Sequence, residues 1–137
     1  PGRIEVLDAS GAPQQALSVA PQTDVVAHVF PAEPHDATLF EVIERVQCLA
    51  SCWCGDRHSF WQLIDGELKP LTANYSGVDH PVAVVTHACY EGSVISGGAG
   101  AALTIHRTAM GGMVSGTETV TWDGHAWQGK SVDRKEY

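Results

Sequence analysis

The sequence predicts an α+β domain, mainly antiparallel β-sheet with one short helix near residues 38–54. Three observations predict it. Asp65-Gly66 lies between two runs that alternate apolar and polar residues, and Asp123-Gly124 repeats the arrangement; Asp-Gly favours the two-residue hairpin turn whose central residues need positive φ. Between them and the amino-terminal third, the apolar period lengthens to that of a helix.

The elements follow in chain order. Arg3 to Leu7 reads as a first strand, and Ser10-Gly11-Ala12-Pro13 as a turn. Asp24 to Phe30 is Val-rich and reads as a buried strand, closed by Pro31 and Pro34. Thr38 with Glu41 has the form of a capping box. Leu39, Val42, Ile43 and Val46 then make one apolar stripe, and Gly55 is a natural helix stop. In the first hairpin, Leu63 should face Leu68, Trp61 should face Pro70, and Gln62 should face Lys69; Pro70, lacking a donor, belongs on an edge or at a bulge. His80 to Tyr90 is the strongest strand, turned by Glu91-Gly92-Ser93, with Ala101 to Arg107 continuing the sheet. In the second hairpin, Trp122 should pair with His125 and Val120 with Trp127, giving one aromatic face. The polar tail from Lys130 to Tyr137 is expected to fray.

The 137 residues, with no repeat, linker or low-complexity tract, are expected to form one domain over 1–137. The composition is globular, 44% hydrophobic and 18% charged. No apolar run approaches the roughly 20 residues that cross a bilayer as a helix, so membrane insertion is not expected. The net charge is −8 and the eight Lys and Arg are scattered. Nucleic-acid binding needs clustered cations to neutralise phosphate, so it is not expected either. A start at Pro1-Gly2, without methionine or leader, reads as processing or trimming.

Four cysteines, Cys48, Cys52, Cys54 and Cys89, carry the chemistry worth weighing. An even number suits two disulfides in an exported protein, stapling the helix end to the sheet. Thiolates and imidazole also suit zinc, with Cys52, Cys54, His58 and Cys89 as the ligand set; two of these stand only one residue apart, closer than paired ligands usually do. A third reading makes Cys52 a nucleophile served by His80 or His87. Ser51-Cys52-Trp53 echoes the active-site cysteine of papain-like proteases, but the glycines before it are missing. The helix precedes the cysteine instead of following it, and Cys52 to His80 is too short an interval for that fold. The family is not carried over.

Trp61, Trp122, His125 and Trp127 are candidates for binding, because tryptophan offers a large contact area with a polar tip. The function expected from these features is an exported, periplasmic or extracellular, disulfide-stapled binding domain with a protein partner, of the inhibitor or immunity-protein kind, without a cofactor. The alternative is a small Cys/His enzyme such as a thiol hydrolase, or a zinc protein, built on the Cys52/Cys54/His58 region.

Overall fold

The computed structural model describes residues 2–29, 38–46, 55–84, 90–97, 102–109 and 114–136. These form twelve strands and, among the described residues, no helix: β1 (Gly2–Leu7), β2 (Pro13–Val19), β3 (Thr23–Val29), β4 (Thr38–Val46), β5 (Gly55–Ile64), β6 (Glu67–Pro70), β7 (Thr72–Tyr75), β8 (Val82–Ala83), β9 (Tyr90–Gly97), β10 (Ala102–Ala109), β11 (Val114–Trp122) and β12 (Trp127–Glu136). They make a β1-β2 hairpin, a four-stranded sheet in the order β3-β4-β5-β6 and a six-stranded sheet in the order β8-β7-β12-β11-β10-β9. Among the described strands, pairing is antiparallel except between β7 and β12.

The predicted helix is overturned: Thr38–Val46 is strand β4, and residues 47–54 lie outside the described residues. The cause is burial on both faces. Leu39 and Glu41 point to one side of β4 and Val42 to the other, and all three are buried. A strand covered on both sides has no clean alternation, so its apolar residues can mimic a helical stripe. The β-branched Thr38, Val42, Ile43 and Val46 favour the extended form. Glu41 caps no helix; it bonds to residues of the two flanking strands.

The core lies between the two larger sheets. Leu39 and Phe60 of the four-stranded sheet pack with Ala73, Leu103, Ile105, Val120 and Trp127 of the six-stranded one, together with Leu71 and Val84. Each fully buried side chain of this size contributes on the order of 1.5–3 kcal/mol. Leu71 marks the crossing between sheets: its N–H donates to the Phe60 carbonyl and its carbonyl accepts from Val84 N–H. The β1-β2 hairpin meets the other face of the four-stranded sheet. Gln15 exchanges two hydrogen bonds with the Leu68 backbone, at 2.9 and 2.7 Å. Ala20 N–H donates to Glu44.

The Asp65-Gly66 hairpin has the expected register, Trp61 with Pro70, Gln62 with Lys69 and Leu63 with Leu68. Both turn residues have positive φ, 52° and 78°. The second hairpin differs: Trp122 pairs with Trp127, and Val120 with Gly129. Here the Asp123 carboxylate accepts from the N–H groups of His125 and Ala126, and Asp123 N–H donates to the Ala126 carbonyl. That closes a four-residue loop and moves the register by two, leaving the aromatic face unchanged.

Three smaller expectations also fail. β3 is an edge strand with exposed valines, not a buried one. Glu91-Gly92-Ser93 is no turn but part of β9, where the register with β10 shifts between His106 and Thr108; glycine there serves a bulge. The tail from Lys130 is paired along β12 as far as Glu136 with Val114.

Candidate functional site

The four-stranded sheet carries a largely buried polar cluster. On its core-facing side, Glu41 of β4 is flanked by His28 of β3 and His58 of β5. One carboxylate oxygen lies 3.1 Å from His28 Nε2, the other 2.7 Å from His58 Nδ1. The register explains the meeting: His28 pairs with Leu39 and His58 with Ile43, each two residues from Glu41 on the same face. An ionised carboxylate only accepts, so both ring nitrogens must carry hydrogen. Burial raises the Glu41 carboxyl, but the hydrogen bonds from His58 and His28, with their charge, outweigh it and hold the group below the ordinary glutamate range.

The three side chains tie β3, β4 and β5 together across two strand gaps. Glu41 is buried, and the rings are only 23% and 13% exposed at His28 and His58. A carboxylate that orients an imidazole is one half of an acid–base device. The same trio is also an effective rivet. Among the described residues, no three His, Cys, Asp or Glu converge as metal ligands would.

One register step beyond His58 the same face opens into a cleft of about 410 Å³, lined by Pro21, Gln22, Thr23, Asp24, Ile43, Arg45 and Asp56. Its walls are mostly polar, and Arg45 reaches across to Asp56 at 3.8 Å. The adjoining β3 forms the rim. Val25, Val26 and Val29 on β3 are 48%, 39% and 77% exposed, and among the described residues β3 has a strand neighbour on one side only.

The residues singled out from sequence are dispersed. Cys48, Cys52, Cys54, Cys89 and His87 lie outside the described residues. Of the zinc set, only His58 is described, and it serves Glu41. His80 is exposed in the bend before β8, its Nδ1 2.8 Å from the Asp79 carboxylate. Trp127 is buried in the core, with Trp122 packed edge-on against it at 5.6 Å between ring centroids. Trp61 is half-buried and donates to Ser59. His125 is exposed on the second hairpin loop. Sequence reasoning did not foresee Glu41 with His28 and His58, because the helical reading of 38–54 put Glu41 on a different face. Nor did it foresee the open edge of β3.

No protein-family model matches the chain, and no curated protein or solved structure does.

Proposed function

We propose that this chain is a binding domain that takes up an extended protein segment along β3. The observation that carries the reading is the exposed, valine-rich edge strand. A strand with one unpaired side presents a row of backbone donors and acceptors, ready to receive another strand. Here the backbone row is accompanied by apolar side chains left in water, as binding surfaces often are. The neighbouring His28–Glu41–His58 trio makes β3 a rigid template by fastening it to β4 and β5. That supports a binding role for the trio and leaves it no need of a reacting partner.

Peptide selection on the immobilised protein tests this. Enriched peptides should be extended and β-branched, and should shift the amide resonances of residues 23–29. Peptides that map elsewhere, or no enrichment at all, would overturn it. The exported and disulfide-stapled form of the reading rests on the four cysteines. Intact mass without reductant, before and after alkylation, tests that part: free thiols would remove it.

A further inference from the structure

We infer that the strand received along β3 is β3 of a second copy of this chain, paired antiparallel about a two-fold axis through Val26. This rests on the reading of β3 as a binding edge and names what binds there.

The strand reads Thr23-Asp24-Val25-Val26-Ala27-His28-Val29. Centred on Val26, an antiparallel pair sets Thr23 against Val29, Asp24 against His28, and Val25 against Ala27, each twice. Only pairings that set a residue against itself, or against one an even number away, keep the buried faces of both sheets on one side. Of these, the register centred on Val26 alone uses all seven residues. It is also the one that sets the strand's only acid against its only base. A charge in an edge strand usually discourages pairing. Asp24 discourages every register but this one, because here it meets His28, whose ring is held in place by Glu41. Val26, 39% exposed in the single chain, meets its own copy on the axis, and Val25 packs on Ala27. Val29, 77% exposed in the single chain, comes beside Thr23 at the rim of the polar cleft. The result is an eight-stranded sheet running through both copies, four strands from each. An interface of one seven-residue strand is small, so the dimer should be of the transient kind and dissociate on dilution.

Sedimentation equilibrium tests the inference. The wild-type mass should rise with concentration from 14.6 kDa toward twice that value. Val26→Lys sets two ammonium groups face to face on the axis and should weaken association by about tenfold or more. Its thermal unfolding midpoint should shift by only a few degrees, because the side chain is partly exposed in the monomer. Val26→Cys should give an oxidised dimer joined at position 26, located by peptide mapping to separate it from the four native cysteines. Val25→Cys should not, since its own copy is no longer opposite. A monomer at the highest soluble concentration, or a dimer that Val26→Lys leaves intact, overturns the inference. If the monomer still takes up peptides on residues 23–29, strand addition stands and only the self-pairing falls. If it takes up none, both fall.

Discussion

The two edges of the four-stranded sheet are built to opposite ends. β6 has four residues, a lysine and a proline, and its Leu68 backbone is occupied by the Gln15 side chain from the β1-β2 hairpin. β3 has seven residues, no proline and no lysine, and three valines in water. Short length, lysine, proline and a covering segment are the ordinary means of closing an edge. Among the described residues, β6 uses all of them and β3 none. The contrast teaches that β3 is not an edge left open by lack of means, since the same sheet covers Leu68 on its other edge with Gln15.

The largest effect expected bears on how β3 is held. Glu41→Leu removes the buried acceptor that His28 and His58 share. It should cost about 2–4 kcal/mol in denaturant unfolding. Protection from hydrogen exchange should fall at 23–29 more than at 67–70. If the two edges lose protection equally, the trio does not distinguish them.

Acid should act on the same point. The Glu41 carboxyl is held below its unfolded value, so its contribution is whole above about pH 4.3 and is lost as pH falls through the folded value. The carboxyls of Asp8 and Asp123, lowered chiefly by hydrogen bonds from Ser10 and Ala126 respectively, lose theirs in the same direction. Stability should therefore decline below the ordinary carboxylate range, with protection factors at β3 declining before those at β6. A profile flat down to pH 3 would contradict this.

Gln15→Ala comes next. It deprives the Leu68 N–H and carbonyl of their partner and should cost about 1–2 kcal/mol. It should also make β6 the more exchangeable edge, narrowing the contrast. The smallest effect belongs to Val25→Lys, a change of at most about 0.5 kcal/mol in stability, because the side chain is already half in water. It should nonetheless reduce peptide uptake on β3, which separates stability from recognition at a single residue.

What could be read from the chain alone was what local chemistry decides. Asp65-Gly66 set its own turn and the register beside it, since both residues adopt the positive φ that pair favours. Asp123-Gly124 looked identical, yet the Asp123 side chain bound two later amides and opened the loop. Choosing between those outcomes takes the surroundings, with Gln128 adding a third bond to the carboxylate. A helical reading of 38–54 misplaces Glu41 because a strand buried on both faces loses its alternation. With 38–46 extended, Glu41 is the one acid between Leu39 and Ile43 on its face, and that was the available signal. The exposure of Val25, Val26 and Val29 had no local signature, because a valine-rich strand looks the same at the centre of a sheet as at its margin.

The parallel pairing of Asn74 with Gln128 and Tyr75 with Gly129 has a consequence for the order of folding. The Tyr75 ring occupies the space a side chain would need at position 129, and its hydroxyl donates to buried Glu118. β7 therefore waits, through synthesis of more than a third of the chain, for β12 to appear. Contacts so distant in sequence delay the transition state, since loop closure must come before any reward. The four-stranded sheet, whose strands follow one another directly, can assemble during that wait. It would do so with Leu39 and Phe60 still uncovered, so the nascent chain passes through a half-built sandwich whose later strands complete it.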